Sequence, residues 1–101
     1  MKLQTIILTS LLAISGQVLA GDAGAGRSAF AAKGCIGCHG AGGVSVVPAY
    51  PSLRGQTEAF VKENLTNFRN GKRQNPTMNA MAAGLKDADI ENLAAYIGSL
   101  K

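Results

Sequence analysis

Cys35-Ile36-Gly37-Cys38-His39 holds both cysteines and the only histidine of this 101-residue chain, and a C-x-x-C-H run has three physical readings. In the first, the two thiols add to the vinyl groups of haem, whose separation the short spacing matches, and the adjacent imidazole ligates the iron from the same side. In the second, the pair is a thiol–disulfide couple, which requires a strand before it, a helix start at the motif and a β-α-β framework around it. In the third, the site holds zinc, which wants four ligands, whereas two thiolates and one imidazole leave a place to fill. A plain disulfide across two residues closes too small a loop to stabilise much.

The surrounding sequence discriminates among these. Lys2 precedes a mostly apolar run, residues 6–14, which ends in small residues through Val18-Leu19-Ala20. That is the pattern of an export signal, and nine residues are too few to cross a bilayer, which needs roughly 20. Val18 and Ala20 occupy the −3 and −1 positions a signal peptidase accepts, so cleavage is expected after Ala20. Residues 1–20 are then a leader and residues 21–101 one small domain. The leader removes one lysine, leaving nine basic against six acidic residues. This mild excess, without Lys/Arg runs or interleaved aromatics, gives no reason to expect nucleic acid. A core drawn from so few residues supplies only about 3–5 kcal/mol, so a staple is expected.

Periodicity predicts an all-α fold of three main helices joined by Gly- and Pro-containing loops. The first covers residues 23–33, with Asp22 as cap. The second covers residues 58–70, capped by Thr57, with Val61, Leu65 and Phe68 on one face. The third covers residues 88–100, capped by Asp87, with Ile90, Leu93, Ala94 and Ile97 as its apolar stripe. Residues 40–56 and 72–86 read as irregular. Loops of that length in a small domain are expected to wrap something, and a flat apolar cofactor would supply the core that the polypeptide lacks.

With these features together, the chain resembles the small bacterial class I cytochromes c, single-haem carriers, and is similar to one lobe of the two-haem periplasmic type. The resemblance covers residues 22–101. It includes Gly26-Arg27-Ser28-Ala29-Phe30 and Leu93-Ala94-Ala95-Tyr96, the family's pattern for two crossing terminal helices. Independently of the family, Gly26 lacks a side chain and lets a second helix axis come close. The resemblance implies a cytochrome c fold around one haem c, covalently held by Cys35 and Cys38, with His39 as an iron ligand. Tyr50-Pro51-Ser52-Leu53-Arg54-Gly55 looks like the family stretch whose proline carbonyl accepts the histidine Nδ1 proton, which assigns Pro51 to orient His39. Arg54 is then a candidate to neutralise a haem propionate.

The stretch from Asn75 to Leu85 resembles the family's distal loop, in which the ligand lies about seven residues before the leucine preceding the last helix. That registers Met78 as the sixth ligand and leaves Met81 to the core. Ala80 stands where the family often has proline. The resemblance thus implies a periplasmic electron carrier, not an enzyme, working between a quinol-cytochrome c reductase and a terminal oxidase or reductase and touching membranes only through such complexes. Lys33, Lys62, Lys72 and Arg73 are candidates to steer it toward acidic partners. Two other classes compete: a haem sensor or enzyme with an open sixth site, and a cytochrome subunit of a periplasmic dehydrogenase.

Overall fold

Asp22 lays one carboxylate oxygen over the amides of Gly24 and Ala25, at 2.8 and 3.1 Å, satisfying two of the donors that a helix start leaves free and so launching α1 (Ala23–Ala32). A computed structural model describes residues 20–101. Apart from Ala20, the expected leader, residues 1–20, lies outside the described residues. After α1 come a short helix, α2 (Cys35–His39), and a 3₁₀ turn (Ala41–Gly43). An irregular arm leads to α3 (Glu58–Arg69), then α4 (Pro76–Ala83) and α5 (Asp87–Ser99). The fold is all-helical among the described residues, and none of these helices is long and apolar enough to cross a membrane.

The three long helices sit where periodicity put them. Thr57 Oγ1 accepts the Phe60 amide at 3.1 Å to start α3, whose Val61 and Phe68 are buried with Leu65 packed against them. In α5 all four stripe residues, Ile90, Leu93, Ala94 and Ile97, are buried. Each of the three helices ends one residue sooner than expected, and two further differences stand out. Helix α5 begins one residue early, because Asp89 Oδ2 accepts the Lys86 amide at 2.9 Å. Lys86 is therefore the N-cap, and Asp87 becomes the first helical residue, its carboxylate 2.7 Å from Arg69. Within residues 72–86, expected to be irregular, lies α4. Asn75 and Pro76, which look like loop punctuation, here act as cap and first helical residue: Asn75 Oδ1 accepts the Met78 amide at 3.0 Å, and proline at that position lacks only an N–H that would have been unpaired.

Helices α1 and α5 cross at Gly26. A Cβ built there would lie 1.9 Å from the Asn92 carbonyl oxygen and 2.7 Å from the Tyr96 Cβ. Only the absence of a side chain lets the two backbones meet. Beside the crossing, Phe30 and Tyr96 rings stand 5.5 Å apart, tilted by 56°, within the range of favourable aromatic pairs. Asn92 Oδ1 also accepts the Asp22 amide at 2.8 Å, tying the cap of α1 to α5. Gly26→Ala should therefore destabilise the protein by about 3 kcal/mol or more in denaturant titration. Gly37→Ala, where nothing lies within 4 Å of the added carbon, should stay within about 0.5 kcal/mol of wild type.

Candidate functional site

The inner faces of these helices do not close on one another but bound a cavity of about 360 Å³, within the size range of small-molecule and cofactor sites. Phe30, Val61, Leu65, Phe68, Leu93 and Ile97 form its apolar wall. Cys35, Cys38, His39, Pro51, Met78 and Met81 all reach it. The structure thus brings together both thiols, the histidine, the proline and both methionines singled out in the sequence.

Helix α2 sets the first three. It follows Gly34, and its last residue, His39, is the only buried polar or charged side chain among the described residues. The chain leaves α2 through Gly40, at φ +83°, where a Cβ would lie 1.8 Å from the Val44 carbonyl oxygen. Only glycine makes this turn, and the turn brings the arm back over His39. The Gly43 carbonyl then accepts the Leu53 and Arg54 amides at 2.8 and 3.1 Å, and Ser45 N–H donates to Ser52 Oγ at 2.9 Å. Pinned this way, Pro51 presents its carbonyl to His39 Nδ1 at 2.7 Å. A carbonyl can only accept, so Nδ1 carries the proton and Nε2 keeps its lone pair for a metal.

Both cysteines are unbridged. Burial pushes the Cys35 thiol above its usual range, the opposite of what an attacking redox thiolate needs. Among the described residues no strand precedes the motif, and no three His, Cys, Asp or Glu side chains converge to hold a metal ion. The donor set is two thiols, one imidazole with a free Nε2 and two thioethers around an apolar cavity. It fits haem c and neither of the alternatives.

Two side chains lie elsewhere than expected. Arg54 is not on the cavity: its backbone is fixed to Gly43, and its guanidinium reaches over to the segment after α5, where Nε and Nη2 donate to the Lys101 main-chain oxygen at 3.0 and 2.8 Å. Met81 is not core. It is 40% exposed because it sits one turn after Met78 on a short helix whose buried residue is Ala82, and its methyl approaches Gly34. The polar groups that do line the cavity include Gln56, Asn64 and Arg73. Arg73 Nη1 donates to Asn64 Oδ1, and the guanidinium stacks 4.7 Å over the Phe68 ring. Gln56 and Asn64 carry no sequence signal, since exposed helix and loop positions are equally often polar. Of the basic residues, Lys62 pairs with Glu91 and Lys33 lies 4.0 Å from Asp89.

Residues 23–101 match the family model described as Cytochrome c. The chain is 39% identical over 83 residues to cytochrome c-554(548) of Halomonas halodenitrificans, covering 79% of this chain and 98% of that one. The structure of cytochrome c4 from Acidithiobacillus ferrooxidans superposes with a TM-score of 0.72 at 32% identity, covering 85% of this chain and 54% of that one. A thiosulfate dehydrogenase electron acceptor of Thiomonas intermedia is 42% identical over 71 residues, 69% of this chain and 33% of its own. The chain thus spans nearly all of the first relative, about half of the second and a third of the last. A helical domain with a C-x-x-C-H motif opening on an apolar cavity is a c-type haem domain. This chain belongs to the cytochrome c family and binds haem c through Cys35 and Cys38.

The cavity replaces much of the core of an 82-residue described segment. Replacing both cysteines by serine should leave a chain without covalent haem and with little cooperative structure, seen as loss of the haem absorption in alkaline pyridine and of the helical signal in circular dichroism.

Proposed function

We propose that the protein is an exported, periplasmic single-haem cytochrome that carries one electron between redox complexes, with His39 and Met78 as the two iron ligands. The observation that carries the reading is the His39–Pro51 hydrogen bond. It fixes the ring and frees Nε2 on the same cavity that Met78 reaches. Haem, when bound, supplies a one-electron iron couple, and thioether ligation favours its ferrous side.

The chain's own part is to hold that couple still and dry. The Pro51 carbonyl holds the orientation of the imidazole. The apolar wall from Phe30 to Ile97 lowers the local dielectric and excludes water. Two protein ligands leave no position for oxygen or peroxide, which separates a carrier from a sensor or haem enzyme. No second acid–base or nucleophilic pair faces the cavity among the described residues, because His39 is engaged and Asp87 and Asp89 are occupied at the start of α5.

Residues 1–20 act as the leader in this reading. The electron donor is a quinol-cytochrome c reductase and the acceptor a terminal oxidase or reductase, met in brief encounters. The likeness to an electron acceptor of thiosulfate dehydrogenase supports a second reading of the partner, in which a dehydrogenase delivers the electron. A stable stoichiometric complex on purification would favour that arrangement over a free carrier.

The test is substitution of each methionine. Met78→Ala should lower the reduction potential by on the order of 100 mV, where about 59 mV is tenfold for one electron, and let the ferrous protein take up carbon monoxide. Met81→Ala, on a side chain that is 40% exposed, should cost only about 1 kcal/mol of stability and leave the potential near wild type. The reverse pattern assigns the sulfur to Met81, and carbon monoxide uptake by the wild-type protein refutes the carrier.

A further inference from the structure

We propose that Asn79 is the positioning residue of the methionine side: its carboxamide fastens α4 to the end of α3 and thereby holds Met78 on the cavity. The proposal rests on Met78 being the sixth ligand.

Helix α4 is only eight residues long and buries one of them, Ala82. It therefore has little apolar contact of its own to fix its pose, and short helices do not persist without tertiary support. The half-buried Asn79 supplies it. One carboxamide makes three bonds to three separate pieces of backbone. Nδ2 donates to the Phe68 carbonyl in the last turn of α3 and to the Arg73 carbonyl in the connecting loop, both at 2.9 Å. Oδ1 accepts the Asn75 amide at 2.9 Å. Asn75 is itself the cap whose Oδ1 holds the Met78 amide at 3.0 Å. Both donors of the amide are used, and each joins residues that no other side-chain bond connects to α4 among the described residues. Removing them leaves the Phe68 end of α3 and the Met78 turn of α4 held by the loop and by the apolar packing of Met78 and Ala82 alone, with no directional bond between them.

An external ligand can add to the iron only after the thioether has left, so its apparent affinity reports how easily α4 yields. The experiment uses ferric holoprotein titrated with imidazole, followed through the long-wavelength absorption of a thioether-ligated iron. Asn79→Asp keeps the size of the side chain and its acceptor for Asn75 but turns an oxygen on two carbonyls. It should bind imidazole about tenfold tighter or more than wild type and weaken the long-wavelength band. Asn92→Ala loses a bond of similar length between the cap of α1 and α5, with no part of α4 in it, and should stay within about twofold of wild type. In a Met78→Ala background the Asn79→Asp substitution should change imidazole affinity less than about twofold. If Asn79→Asp yields no holoprotein, Asn79→Ala is titrated in the same way.

Unchanged affinity in the folded Asn79 variant overturns the proposal, as does an equal rise in Asn92→Ala or an effect that persists without Met78. A Met78→Ala protein that keeps the long-wavelength band overturns the ligand reading itself, and the proposal with it. Loss of that band in Met78→Ala beside an unmoved Asn79→Asp refutes the positioning role alone.

Discussion

The hydrogen bond from His39 to the Pro51 carbonyl constrains more of this molecule than any other single contact. It joins the last residue of α2 to the middle of an irregular arm twelve residues on. To make it, the chain must reverse at Gly40 in a conformation closed to side chains, fold residues 41–43 into a 3₁₀ turn and return with Leu53 and Arg54 on the Gly43 carbonyl. The arm has no regular structure because its backbone groups are satisfied locally, by Ser45, Ser52 and Gly43. The same bond fixes which imidazole nitrogen is protonated. One contact therefore sets loop geometry, ring orientation and the identity of the atom left to bind metal.

A second constraint comes from size. A short chain buries only a small apolar core, and here part of the helices' inner faces lines a cavity rather than one another. At the α1–α5 crossing, Gly26 lets backbone meet backbone directly. This crossing supplies the rigid frame on which α2 and α3 are mounted. Filling the cavity with a flat, apolar, covalently attached group converts a hollow into a core, so cofactor binding and folding are the same free energy.

What was legible in the sequence is what depends on local pattern. The caps Asp22 and Thr57, the stripes of α3 and α5, and the five-residue motif are all short-range signals, and the structure carries them as expected. Pro51 was assigned through family resemblance and lies at hydrogen-bond distance from His39. Where the structure differs from expectation the cause is shared: long-range placement decides the role of a local residue type. Asn75 and Pro76 are turn residues by composition and helix starters by position. Arg54 is a cation near the cofactor in sequence, yet its backbone bonds swing it to Lys101. Met81 is apolar but stays 40% exposed at the cavity's edge, because α4 turns only one residue, Ala82, fully inward.

The two sides of the site are consequently unlike in construction. With His39 and Met78 as the proposed ligands, attachment and ligation on the histidine side lie within five consecutive residues, so the ring cannot leave without breaking covalent bonds or unfolding α2. On the methionine side, the sulfur arrives from a separate short helix whose pose depends on side-chain hydrogen bonds to α3 and the loop. Each such bond is worth only about 0.5–1.5 kcal/mol, and opening free energies of that order belong to the least stable parts of a fold. In the proposed ligation, ligand loss should therefore begin at Met78, with α4 moving away from α3 while the α1–α5 frame and the histidine stay in place. An electron carrier tolerates this asymmetry because its redox change requires no ligand to move, whereas a sensor would need the same hinge to open in response to gas. The difference between those two functions on this scaffold reduces to how firmly one short helix is held.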